Sequence, residues 1–349
     1  MRNISVHRSA LMGIAALWIY DFHIVPVGLF VPEPSDWAVY FHREGFCGVD
    51  IFLLVSGFGL TYAFGKQRVT GLNSYGRYLI RRFLRIGTVL IPAALVIGLV
   101  DNWTLREFLG RATGLRQLWV NVYDFLWFVP CILLFYLFAP FYYALFDRVK
   151  WKGAFTLGAI ALVLAANVGL QQTIRYDLYA ITTRIPVFLL GFYFGHLSLQ
   201  GKKLSAGGML ATAACLFVGV AYSFSISHNK DAWLMPAYNA QVNLIVAPAF
   251  ALLLANLCQW AMGIPLPQAV RWLGKGVYTA ASLLGVISFE FYVVQEWVWL
   301  KMRNSSTLQA WFGSSMVQMQ LGCFLLTLIG AVALHWVAGC LHRSMQRSQ

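Results

Sequence analysis

About ten blocks of apolar, almost uncharged residues follow one another along the chain, most of them near the roughly 20 residues that carry a helix across a bilayer, with short polar connections between them. Only 11% of the 349 residues are charged, against about 25% in an ordinary soluble domain. A water-soluble core does not account for that deficit. The pattern predicts an all-α, polytopic membrane protein of about ten transmembrane helices. The spans fall near residues 9–30, 46–64, 86–101, 125–146, 154–170, 185–200, 208–225, 242–262, 281–300 and 316–340. No internal repeat, low-complexity segment or long soluble stretch interrupts them, so one membrane domain over 1–349 is the simplest organisation.

The net charge of +13 would suggest nucleic acid in a soluble chain, but its placement gives another reading. Alternate connections hold Arg2 and Arg8; Lys66, Arg68, Arg77, Arg81, Arg82 and Arg85; Arg148, Lys150 and Lys152; Lys202 and Lys203; Arg271 and Lys275; and Arg343 and Arg347. Asp147 is the one carboxylate near these segments. The positive-inside rule then puts both termini in the cytoplasm and leaves no need for a nucleic-acid partner. The first apolar stretch is long and carries Asp21 and His23, so it reads as a retained span, not a signal peptide. Six scattered cysteines show neither zinc spacing nor a disulfide framework and read as packing residues. No metal site is expected.

Ionisable side chains inside a span cost about 2.5–3.5 kcal/mol each on insertion scales, which marks them as candidates for function. They are Asp21 and His23 in the first span, Asp50 in the second, and Glu290 and Glu296 in the ninth. Counted from Ala10, His23 lies about 20 Å up the first helix. Asp50 enters the second span from that same side. A His–carboxylate pair there suits general-base chemistry, and equally suits two buried polar groups that satisfy each other. Arg82 and Arg85 stand three apart, on one helix face at the mouth of the third span. Two guanidinium forks on one face suit a phosphate; positive-inside anchoring accounts for them as well. Glu290 reads as a cavity-lining group or as a packing residue paired with Arg184, and His335 as a helix-packing residue.

The segment Gly48-Val-Asp-Ile-Phe-Leu-Leu-Val-Ser-Gly-Phe58 resembles the signature of the acyltransferase-3 family. Other segments follow in the family's order. Gly13-Ile-Ala-Ala-Leu17 followed by His23 is similar to its first span, and Arg81-Arg-Phe-Leu-Arg-Ile86 resembles its basic run. Leu126-Trp-Phe-Val-Pro130 with Tyr136 and Pro140, Arg184-Ile-Pro-Val-Phe-Leu-Leu-Gly191, and Ser288-Phe-Glu-Phe-Tyr292 resemble three later elements. The resemblance implies a membrane O-acyltransferase of the cytoplasmic (inner) membrane. Its co-substrate would be acetyl-CoA or another acyl-CoA, with no tightly bound cofactor, and its acceptor a hydroxyl of an extracytoplasmic or lipid-linked polysaccharide. It implies His23 as a catalytic residue and Arg82 and Arg85 as the acyl-CoA site; Asp50 is read beside His23 as the catalytic carboxylate that orients or charge-balances the imidazole, with Arg8, Glu290 and Arg184 in support. Membrane lipid and polysaccharide-assembly proteins are the implied partners.

The sequence departs from the family in three places: Met12 replaces an arginine eleven positions before the catalytic His, Ser9 replaces an acid, and Gln295 replaces a second His. Arg8 lies one turn below Met12 on the same face, within reach of the vacated site. The chain stops soon after the tenth span, whereas some relatives append an SGNH-type hydrolase domain, so direct transfer or a separate partner is expected. Two other function classes suit the same residues: a proton-coupled transporter or flippase built around the intramembrane Asp, Glu and His, and an inactive acyltransferase-like scaffold.

Overall fold

A computed structural model describes residues 1–24, 42, 44–116, 125–170, 180–228, 238–265, 267–312 and 315–347. Among them there are helices and no strand, as expected where a lipid surround forces backbone groups to bond within their own segment. In chain order the helices are α1 (Arg2–Val6), α2 (Arg8–Ile24), α3 (Cys47–Lys66), α4 (Leu72–Asp101), α5 (Leu105–Ala112), α6 (Phe128–Arg148) and α7 (Lys152–Leu170). They continue with α8 (Ile185–Leu199), α9 (Ala206–His228), α10 (Tyr238–Gly263), α11 (Gln268–Val286), α12 (Ser288–Asn304), α13 (Ser306–Phe312) and α14 (Met316–Arg347).

Among the described residues, eight helical segments are long and apolar enough to cross a membrane, or nine if α11 and α12 count as one broken span. The protein is a multi-pass membrane protein. The expectation of about ten spans differs at two places. The first span is described only as the 17 residues of α2, and its expected continuation over 25–30 lies outside the described residues. The ninth, read as unbroken over 281–300, is interrupted at Ile287, whose backbone leaves the helical region (φ −102°, ψ 15°). The segment with Arg271 and Lys275, read as a connection, is part of helix α11.

The chain gathers into two compact units. The first takes in Met1–Ile19, Ser35–Val69 and Phe138–Val286. Its centre is the pair α3 and α8, which approach closely because glycines face backbone. A Cβ on Gly191 would collide with the Leu54 carbonyl and stand 3.0 Å from the Phe58 nitrogen, and Gly57 meets the Phe188 carbonyl in the same way. Small residues at a helix crossing allow this contact. Gly13 on α2 and Gly285 on α11 form a second close approach, each against backbone of the other helix. At the ends of α3 and α6, Arg68 pairs with Asp147 at 2.6 Å. Lys152 Nζ donates to the carbonyls of Phe146, Asp147 and Val149 at 3.1, 2.9 and 2.9 Å, satisfying the C-terminus of α6.

The contact between α3 and α8 makes a prediction. Gly→Ala inside a helix ordinarily stabilises by up to about 1 kcal/mol, yet Gly191→Ala should destabilise by about 1–3 kcal/mol through overpacking. Gly207→Ala on α9, where a Cβ meets nothing within 4 Å, should melt at or above the wild-type temperature. Thermal melting of the detergent-solubilised variants reads the difference.

The second unit takes in Tyr20–Pro34, Thr70–Leu137 and Ile287–Gln349, and packs α4, α12 and α14 together. Helix α4 begins where Ser74 Oγ accepts from the Gly71 nitrogen at 3.0 Å and ends at Asn102 in the left-handed conformation (φ 53°). Its end is fixed to α12 by Asp101, which binds Lys301 Nζ at 2.5 Å and accepts from Trp297 Nε1 at 3.1 Å. Helix α5 starts with a capping box, Thr104 with Glu107. The Thr104 backbone N–H, then its hydroxyl, hold the exposed Glu107 carboxyl below its usual range.

Candidate functional site

The arginine pair is built by helix register. Arg82 and Arg85 lie on one face of α4, and the Arg82 guanidinium sits over two tyrosine rings, 5.7 Å from the centroid of Tyr78 and 5.4 Å from that of Tyr136. Tyr78 is one turn earlier on the same helix. Tyr136 comes from α6, pinned alongside by the Tyr75 hydroxyl, which donates to the Leu137 carbonyl at 3.0 Å. Cation–π contact holds the fork in place without neutralising it. Among the described residues neither guanidinium has a carboxylate within ion-pair distance. Arg82 is half-buried and Arg85 exposed, an arrangement that leaves two cations for an incoming anion.

His23 lies in the last turn of α2, half-buried, with its ring 4.8 Å from that of Phe22. One turn earlier, Tyr20 packs against Phe291 of α12 and Phe324 of α14, both at 5.6 Å between centroids. Its hydroxyl donates to the Gln320 carbonyl at 3.3 Å. The end of α2 that carries His23 is thereby seated on α12 and α14 within the second unit.

Two of the carboxylates singled out in the sequence, Asp50 and Glu290, sit in the first turn of a helix, where the dipole favours negative charge. Each has a basic partner from another part of the chain. Asp50, wholly buried, lies 3.5 Å from Arg184 Nε, whose side chain is 5% exposed. Arg184 stands at the N-cap of α8, just before Pro186, a position suited to starting a helix. Its Nη1 also donates to Thr183 Oγ1 at 2.9 Å, and its guanidinium is 5.8 Å from the Phe46 ring centroid. Glu290 pairs instead with His335, Oε1 to Nδ1 at 2.7 Å. The sequence had linked Arg184 with Glu290; the structure gives Arg184 to Asp50. The Arg8 guanidinium lies along α3 beside Gly59, 3.7–3.9 Å from where a Cβ would stand.

Three groups escaped the sequence reading. His335 was taken as packing, and no local signal links it to a residue 45 positions away. Glu44 falls in the expected connection between the first two spans and was not singled out, yet it is 1% exposed. The Ser223 hydroxyl donates to it, and Cys47 Sγ lies 3.6 Å from its Oε2 and 3.2 Å from Asn243 Oδ1. Tyr136, quoted only as part of a motif, proves to be a wall of the arginine site.

Residues 10–336 match the family model described as an acyltransferase domain. No curated protein and no solved structure matches the chain.

Proposed function

Since the chain belongs to the acyltransferase-3 family and is a membrane acyltransferase, we propose that it moves an acyl group, most simply acetyl, from cytoplasmic acyl-CoA to a hydroxyl of an extracytoplasmic or lipid-linked polysaccharide. The enzyme sits in the cytoplasmic membrane with both termini inside, in line with the basic connections. The observation that carries this reading is Arg82, held over Tyr78 and Tyr136 with Arg85 on the same face. Two guanidiniums on one face, one held over two rings and neither paired with a carboxylate among the described residues, are suited to the phosphates of a nucleotide-bearing donor.

The phosphates of acyl-CoA bind Arg82 and Arg85, and the narrow arm carries the thioester along the second unit. His23 takes the proton of the acceptor hydroxyl, and the alkoxide attacks the thioester carbonyl. Asp50, 3.5 Å from Arg184 Nε, is the second proposed catalytic residue, and Arg8 a supporting cation. An acyl-His23 intermediate is the alternative order of steps.

The test uses purified protein in liposomes, labelled acetyl-CoA and a mixture of cello-, chito- and dextran-derived oligosaccharides. Arg82→Ala/Arg85→Ala should raise the donor KM by about 10–100-fold, since each hydrogen-bonded charge contributes about 1.5–3 kcal/mol and part is retained by neighbours. An unchanged donor KM would remove the arginines from the donor site. Accumulation of solute without label transfer would point to transport.

A further inference from the structure

The Glu290–His335 pair is unused by the steps above, although it places two ionisable groups in a candidate membrane region. We propose that His335 gives its proton to the departing thiol of the acyl donor, with Glu290 as its positioning residue; this rests on the acyl-transfer reading.

The geometry comes from helix packing. Glu290 occupies the first turn of α12 with an 8% exposed side chain and holds His335 Nδ1 at 2.7 Å. The His335 side chain remains 46% exposed, so the opposite ring nitrogen, Nε2, is available to a ligand. A His whose one nitrogen is fixed by a carboxylate is held in orientation, with its other nitrogen directed away from that partner.

Its place along the second unit suits the donor's reacting end. Measured from the Asp101–Lys301 contact that ties α4 to α12, Arg85 lies about 24 Å down α4 and Glu290 about 16 Å down α12, at about 1.5 Å per residue. Phe291, next to Glu290, packs on Tyr20, one turn before His23. The arginines, the Glu290–His335 pair and the His23 helix end belong to the same unit. Farther along α12, Gln295 is 1% exposed, and neither its amide nitrogen nor its oxygen has a hydrogen-bond partner among the described residues. A buried amide with donor and acceptor both unmatched suits the amide groups of a pantetheine-type arm.

The chemistry needs a proton at that place. The acceptor O–H proton goes to His23, the C–O bond forms and the C–S bond breaks, leaving the electron pair on sulfur. A thiolate released away from water is disfavoured relative to the neutral thiol. Protonated His335 supplies Nε2–H to the sulfur and keeps Nδ1–H on Glu290. The thiol leaves, water on the donor side returns a proton to His335, and His23 releases its own to water on the acceptor side.

Thiol release from acetyl-CoA, read with a thiol-reactive dye in liposomes holding the same oligosaccharide mixture, tests the assignment. His335→Gln keeps a donor for Glu290 but cannot titrate; its kcat should fall by about 10²-fold or more, with little change in donor KM and in melting temperature. Glu290→Gln should show a smaller loss in kcat. A His335→Gln enzyme with wild-type kcat overturns the inference alone. So does a loss that follows melting temperature or donor KM across His335→Gln, His335→Asn and Glu290→Gln, because a packing role predicts that pattern. Wild-type protein that releases no thiol overturns the acyl-transfer reading, and this inference falls with it.

Discussion

His23→Ala is expected to lower acyl transfer by about 10²–10⁴-fold, the contribution of a positioned general base, while leaving donor binding intact. The acceptor hydroxyl is a weak acid, so without a base beside it little alkoxide forms. The fall should lie in kcat, since the arginine site on α4 is built from Tyr78, Tyr136 and α4 itself and does not include His23. The label-transfer assay in liposomes gives kcat, and retention of acetyl-CoA by the purified protein gives donor binding. Transfer that survives at the wild-type rate removes His23 from the mechanism. Loss of donor binding together with transfer would instead mean that the change disrupts the seating of α2 on Phe291 and Phe324.

The second large effect is on stability. Arg184→Leu should destabilise the first unit by about 3–5 kcal/mol, because it leaves the wholly buried Asp50 carboxylate without its cation. Asp50→Asn/Arg184→Leu should recover much of that loss, since no buried charge remains to be balanced. Melting of the two variants in detergent measures the coupling. If Arg184→Leu melts with the wild type, the pair does not hold α8 to α3. The double variant also separates fold from chemistry: restored melting with no acyl transfer is the result expected if Asp50 takes part in the reaction.

Much of the architecture was readable because burial in lipid leaves a one-dimensional trace. Apolar length alone located most of the spans. The break at Ile287 left no such trace. Isoleucine is no helix breaker, and the backbone changes conformation there for reasons that act across the chain, with Gly285 already committed against Ser9.

The site divides in the same way. Arg82 and Arg85 were legible because their spacing is local to one helix, whereas the tyrosine walls depended on α6 lying beside α4. Glu290 was marked by its cost inside a span, and its packing reading named Arg184 where the structure has His335. The partner turns on which helices meet, and the two pairs lie 45 and 134 positions apart in sequence.

The sequence by itself determined that the chain is helical and membrane-embedded, and its motifs identified the acyltransferase-3 family; both are carried by local hydropathy and short patterns. Only the tertiary structure decided that Asp50 belongs to Arg184, that Glu290 belongs to His335, and that Arg82 is held by two rings. Pairing energies act over a few ångströms between residues far apart in the chain, and helix packing sets those distances.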